Sequence, residues 1–242
     1  MSVWTALFWG AFSSASLYLG EALAGPMRDR HHATGLVMGF GAGTLLSAVA
    51  YELVPESTLS QGWKVGVGVL VGALAYFVGD RLVDRGGGHD RQKIGEPAPE
   101  SSGAAMFVGA LLDGVPESFI LGATVAGGGS VSLAFVAAVF VSNIPQGVAG
   151  TTSLQAAGYS ARRIFWMWTA LTVACALVAA AGFLLSDHLS SGSVYAEAFA
   201  GGAVLTMLAD SMMPEAFENG GDEVGLLTVL GFLVAGALTV LQ

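Results

Sequence analysis

Apolar runs of about 20 residues recur along this chain, and that length is what a helix rising 1.5 Å per residue needs to cross the roughly 30 Å hydrocarbon layer of a bilayer. Eight such segments can be drawn: Val3–Gly25, Thr34–Val54, Val65–Val83, Ala104–Ala126, Val131–Ala157, Ile164–Leu185, Val194–Met213 and Val224–Leu241. The alternating ten-residue pattern of an outer-membrane barrel is missing. Only 11% of the 242 residues are charged and 54% are apolar, against about a quarter charged in a soluble domain. The chain therefore reads as one all-α integral membrane domain over residues 1–242, with the bilayer as its solvent and no nucleic-acid partner. The formal charge of -9 is less informative than where the carboxylates sit, because many of them fall within or at the ends of apolar segments. Cys175 is the one cysteine, which excludes an intramolecular disulfide and a cysteine-built metal site.

Orientation follows from the basic residues. Arg28 and Arg30 come after segment one, Arg81, Arg85, Arg91 and Lys93 after segment three, and Arg162 and Arg163 after segment five; the other side has only Lys64. The connections after segments one, three, five and seven are thus expected in the cytoplasm, with both termini outside, in a multi-pass protein of the cell (inner) membrane. No Lys or Arg precedes the first apolar run, so it reads as a retained helix and not as a signal peptide. Residues 84–102, with Gly86-Gly-Gly88, Pro97 and Pro99, read as a flexible cytoplasmic linker.

Four segments carry one motif. Glu52-Leu-Val-Pro-Glu56, Asp113-Gly-Val-Pro-Glu117, Ser142-Asn-Ile-Pro-Gln146 and Ser211-Met-Met-Pro-Glu215 each set a polar residue, two spacers, a proline and a Glu or Gln in apolar surroundings. The first and last polar residues are i and i+4 and share a helix face. The proline removes a backbone donor, which frees the carbonyl of Tyr51, Leu112, Val141 or Asp210. Irregular backbone at membrane depth is tolerated where protein buries it or where it lines a polar cavity. The four copies read as the walls of one cation path.

The motifs sit in a larger repeat. Phe40–Ala50 resembles Phe199–Ala209 at an offset of 159, which pairs segments two and seven; the motifs of segments four and five pair at an offset of 29. Each pair enters from opposite sides. That predicts three helices, two central helices and three inverted helices, the arrangement of secondary transporters with a midplane site. Gly35, Gly39 and Gly43 in segment two, and Gly68 and Gly72 in segment three, are a helix-packing signal.

Intramembrane carboxylates cost about 2.5 to 3.5 kcal/mol each on insertion scales and are functional candidates for that reason. Asp113, Glu117, Glu52, Glu56, Asp210 and Glu215 have no Lys or Arg in any segment core to pair with. They must be protonated, hydrogen-bonded or metal-bound. The competing structural reading makes them interhelical hydrogen-bond donors, with Glu56 and Glu215 simply wet near helix ends; Glu21 and Asp80, also near ends, read as solvated. Asn143 and Gln146 are neutral oxygen donors that serve either as helix glue or as auxiliary ligands.

The segment-four and segment-five motifs resemble those of the ZIP (Zrt/Irt-like) divalent-metal transporters, whose central helices carry His-Asn-x-Pro-Glu-Gly or close variants. The resemblance spans essentially the whole chain, and it implies eight helices, outward termini, a variable loop after helix three and an inner bundle of helices 2, 4, 5 and 7 around the metal path. By that resemblance Asp113 stands where the family has His, Gly114 where it has Asn, and Glu117 matches the Glu. Ser142 replaces another usual ligand, Asn143 matches, and Gln146 replaces Glu. Glu52 and Ser211 occupy the polar positions of helices two and seven, with Asp210 adjacent. None of His31, His32, His89 and His188 falls in a helix core. An oxygen-only donor set suits Mn²⁺, Mg²⁺ or Ca²⁺, while imidazole suits Zn²⁺.

The expectation is a transporter that carries a divalent cation such as Zn²⁺, Mn²⁺, Fe²⁺, Cd²⁺ or Co²⁺ toward the cytoplasm without ATP. Asp113 and Glu117 are its primary ligands, Ser142, Asn143 and Gln146 its auxiliary ligands, and Glu52, Asp210, Ser211 and Glu215 stations along the path. The metal ion is substrate, no further cofactor is expected, and a homodimer is compatible with the pattern. Two alternatives stay open: a protein that senses or binds metal without moving it, and an intramembrane aspartyl protease using Asp113 and Asp210.

Overall fold

The structure, a computed structural model, describes residues 2–54, 62–85, 103–126, 131–188 and 192–241. Glu56, His89 and most of the expected 84–102 linker lie outside them. The described residues form helices and no strands: α1 (Val3–Ser14), α2 (Ser16–Met27), α3 (His31–Ala48), α4 (Trp63–Val83), α5 (Gly103–Ala126), α6 (Leu133–Ala156), α7 (Ala161–His188), α8 (Gly192–Met207), α9 (Met213–Gly220) and α10 (Glu223–Val240). Two π-helical turns, Val49–Leu53 and Leu208–Met212, extend α3 and join α8 to α9.

Among the described residues, six stretches are long and apolar enough to cross a membrane: His31–Leu53, Trp63–Val83, Met106–Ala126, Leu133–Ala156, Ala161–Ser186 and Glu223–Val240. The first apolar segment is not one of these, because it breaks at Ala15 into α1 and α2 of 12 residues each. Serine chemistry accounts for the break. Ser13 and Ser14 donate their hydroxyls to the Gly10 carbonyl and Ser16 donates to the Ser13 carbonyl, and such back-bonding competes with the helix ladder and bends it.

Among the described motif prolines, Pro214 is met by a change of helical register. Pro214 has no N–H, and just before it the Met213 N–H reaches back five residues to the Leu208 carbonyl. Ahead of Pro55 in the sequence, the Val54 N–H reaches the Val49 carbonyl in the same way (2.9 Å). The two turns are separated by 159 residues at both ends, the offset of the sequence repeat. Pro116 and Pro145 lie instead within the unbroken helices α5 and α6.

Burial sorts the helices. Over their membrane-length windows α3, α5 and α6 are 67%, 56% and 67% buried, whereas α4, α7 and α10 are 17%, 22% and 17% buried. The motif-bearing helices close a ring: α3 packs on α6, α6 on α5, α5 on α8, and α9 returns to α3. Around the ring, α3 pairs with α10, α4 with α8, α5 with α7, and α6 with α2, while α1 lies on α7. Leu70, Leu74, Val78 and Leu82 on α4 point outward, as befits a face whose solvent is lipid.

Glycine sets the closest of these approaches. A Cβ at Gly43 would collide with the Thr228 carbonyl of α10, and one at Gly231 with the Phe40 carbonyl of α3; Gly202 meets the Val69 carbonyl of α4, and Gly72 the Phe199 carbonyl of α8. Every member of the α3–α10 seam differs from its counterpart in the α4–α8 seam by 159. The repeat read in segments two and seven therefore extends into segments three and eight as matched backbone contacts. Gly35 and Gly39 continue the α3 stripe against Gly220 and Val224, as the four-residue spacing predicts.

Candidate metal path

Asp113 follows Gly103 by ten residues and Ser142 follows Leu133 by nine, so both sit about 15 Å along helices of 24 residues, close to their middles. Asp113 and Glu117 are each 2% exposed, Ser142 is 1% and Asn143 6%; Gln146 is half-buried. The two carboxylates, one helical turn apart on α5, are near enough to feel each other's charge. Asp113 accepts a hydrogen bond from the Tyr76 hydroxyl of α4. Behind this level α5 presses on α7: a Cβ at Gly114 would come 2.9 Å from Cys175 Sγ. Cys175 is thus a packed, buried side chain.

A cavity of about 20 Å³ brings Asp113 and Gln146 together. That is room for about one water-sized body. Its other walls are Leu17 of α2, Met106 and Phe107 at the start of α5, Gly150 and Leu154 toward the end of α6, and Met167 and Trp168 near the start of α7. Met106, Phe107, Leu154, Met167 and Trp168 lie toward the helix ends next to the Arg-rich connections, so these walls of the cavity are on the basic side of Asp113, whereas Leu17 stands at the start of α2, away from Arg28. Ser142 packs on α3, where a Cβ at Gly41 would come 2.9 Å from its Cα; Met212 of the second π turn meets the same point at 3.2 Å. The Ser142 hydroxyl donates to the Val139 carbonyl (2.9 Å).

The remaining motif residues are distributed along the molecule and are not gathered at that level. Glu52, half-buried in the first π turn, accepts hydrogen bonds at Oε1 from Ser132 (2.7 Å) and Thr239 (3.0 Å), which ties α3 to the start of α6 and the end of α10. Ser132 also caps α6, its oxygen accepting from the Phe135 N–H (3.0 Å). Removing this one hydroxyl loses both roles: Ser132→Ala should lower stability by about 1 kcal/mol, as measured by thermal unfolding in detergent, and should do so less once Glu52 is already Ala.

Glu215 is 8% exposed near the basic end and accepts from Asn219 Nδ2 (2.7 Å). It is not the wet side chain its position near a helix end suggests. Asp80 departs from its sequence reading in the same direction, since it is 9% exposed inside the α4 packing. Ser211 donates back to the Met207 carbonyl (3.2 Å). Asp210 is exposed and lines an outer groove with Val69, Leu70 and Phe77 of α4, away from the Asp113 cavity. Among the described residues, no three His, Cys, Asp or Glu side chains converge closely enough to hold a metal ion. A cation held here must take amide, hydroxyl or water oxygens beside its carboxylates. Tyr76 escapes a motif search because its helix carries no proline motif; a polar-tipped aromatic in the middle of an apolar segment is the signal that could have found it.

No family model matches the chain. The chain is 28% identical over 191 residues to an Arabidopsis thaliana protein named "Putative zinc transporter", a match that takes in 76% of this chain and 30% of that protein. The chain thus spans about a third of the length of this curated relative.

Proposed function

We propose that the chain is a ZIP-like secondary transporter that moves divalent transition-metal cations across the cell membrane toward the cytoplasm through a midplane carboxylate and amide site. The observation that carries this reading is the buried Asp113–Glu117 pair at mid-helix, with Gln146 sharing with Asp113 a small cavity most of whose walls lie toward the basic end. Two carboxylates in a segment core without Lys or Arg are costly unless a cation visits them. Two negative charges with neutral oxygen donors bind a divalent ion loosely enough to release it.

The architecture expected for such a transporter is eight helices in a 3+2+3 inverted repeat. In its favour are the two π turns and the two glycine seams, all matched at the 159 offset. The packing partners support it too: α3–α10 mirrors α4–α8, α5–α7 mirrors α6–α2, and α3–α6 mirrors α5–α8. At the end opposite the basic one, Glu52 is clasped by Ser132 and Thr239. Such a conformation would release cation to the cytoplasm, and rocking or elevator-like movement of one packed group past the other would expose Asp113 to the outside. Glu52 and Glu215, toward opposite ends, would serve as stations on either side of it.

The protease alternative needs Asp113 and Asp210 on one water, but they line separate cavities, one buried and one exposed. The test is uptake of Zn²⁺, Cd²⁺, Mn²⁺, Fe²⁺ and Co²⁺ by the purified protein in proteoliposomes. Flux of at least one of these ions, absent from protein-free vesicles, is the expected result; binding without flux would establish the sensor alternative, and neither would end the metal reading.

A further inference from the structure

We infer that Tyr76, on a helix outside the proline-bearing ring, sets which cations the Asp113 site accepts by occupying one of its two carboxylate oxygens; the inference rests on the transport reading above. Tyr76 is 2% exposed and its hydroxyl donates to Asp113 Oδ1. Its ring borders an apolar cavity of about 220 Å³ between α4, α5 and α8, lined by Leu112, Pro116, Phe119, Phe199 and Ala203 among others. A phenylalanine would suit those walls as well as a tyrosine does. What the hydroxyl adds is the bond to Asp113.

The repeat shows that the fold does not require this pair. At the offset of 159 the counterpart of Tyr76 is Ala235, and at the offset of 29 the counterpart of Asp113 is Ser142. One half of the molecule has acquired a phenol on a carboxylate where the other half has neither. An oxygen that receives the phenolic proton has less electron density to offer a cation, so Asp113 presents chiefly its other oxygen. One oxygen per carboxylate satisfies a small ion such as Zn²⁺, held at about 2.0 to 2.2 Å with few ligands. Larger ions fill a wider shell and use carboxylates through both oxygens. Tyr76 accordingly favours the smaller cation.

The test compares Zn²⁺ with Cd²⁺, which has the same charge and a larger radius. Uptake into proteoliposomes and binding by titration calorimetry in detergent are measured for the full chain, for Tyr76→Phe, for Tyr76→Leu, and for Phe119→Leu, which alters the same apolar walls without touching the carboxylate. Loss of the hydroxyl should raise the Cd²⁺/Zn²⁺ ratio of kcat/KM, and of binding constants, by about tenfold, in both Tyr76 variants, chiefly through a lower KM for Cd²⁺. Phe119→Leu should leave the ratio where it is. An unchanged ratio in Tyr76→Phe, or an equal shift in Phe119→Leu, overturns the inference. If the unaltered chain moves neither ion, the binding ratio still decides the role of Tyr76; if it binds neither, the inference fails, while the transport reading is decided separately by uptake of all five ions.

Discussion

Asp113→Asn is expected to lower divalent-metal uptake by about 10- to 100-fold while leaving the protein at least as well folded. The flux term follows from exchanging a charged ligand for a neutral one, since interactions with a charged group are worth about 1.5 to 3 kcal/mol and each 1.4 kcal/mol is a factor of ten. The folding term has the opposite sign. An ionised carboxylate at mid-membrane costs about 2.5 to 3.5 kcal/mol on insertion scales, and an amide lowers that cost. The amide oxygen also keeps an acceptor in place for the Tyr76 hydroxyl, so the helix contact between α4 and α5 survives. Uptake into proteoliposomes and thermal unfolding in detergent, run on the same preparation, read the two terms separately. A packing role for Asp113 predicts the reverse pattern, with stability falling and flux falling only in proportion to the folded fraction.

The sequence made the inner ring legible because the signal for it is chemical. Proline and carboxylate are both costly inside a bilayer, and their coincidence in four segments marks the helices that turn out to pack in a closed circuit. The offset of 159 was legible too, and it reaches further than the residues that first displayed it. It fixes both π turns and four glycine contacts, each of which joins a helix that displayed the repeat to α4 or α10, outside the stretches first compared.

Other features depend on what a side chain meets, and a motif says nothing about that. Asp210 sits beside a motif serine, yet the turn that re-registers the helix at Leu208–Met212 leaves it on the outer groove. Glu215 and Asp80 lie near helix ends, where water is the default partner, but neighbouring helices cover them. The break at Ala15 is hidden for a related reason: Ser13, Ser14 and Ser16 are small and uncharged, so hydropathy reads through them, while their hydroxyls compete for the backbone carbonyls. In the sequence Tyr76 is one more aromatic in an apolar segment. Only the fold shows that its hydroxyl reaches the carboxylate of another segment.

The inverted repeat can be tested without any transport measurement, because it predicts equal energetic consequences at residues 159 apart. Gly43→Ala and Gly202→Ala each insert a methyl group into a backbone carbonyl of the neighbouring helix, Thr228 in one seam and Val69 in the other; Gly231→Ala and Gly72→Ala do the same against Phe40 and Phe199. Neither partner can yield as a flexible side-chain tip would, since the obstruction is main chain. Each substitution should therefore cost about 1 to 3 kcal/mol, the usual range for overpacking, and the members of each pair should agree within about 0.5 kcal/mol. Gly66→Ala is the control. A Cβ there meets nothing within 4 Å, and in a helix the exchange gains roughly 0.5 to 1 kcal/mol. Unfolding free energies of the five variants in one detergent decide the matter. Seam variants that behave like Gly66→Ala would mean that the helices do not approach so closely, and large losses confined to one seam would mean that the two halves share a sequence pattern without sharing a structural role. Equal losses in both would leave an inverted repeat as the economical explanation, and would make Asp113 and Ser142, related by the same exchange of halves, corresponding points on the adjacent helices α5 and α6.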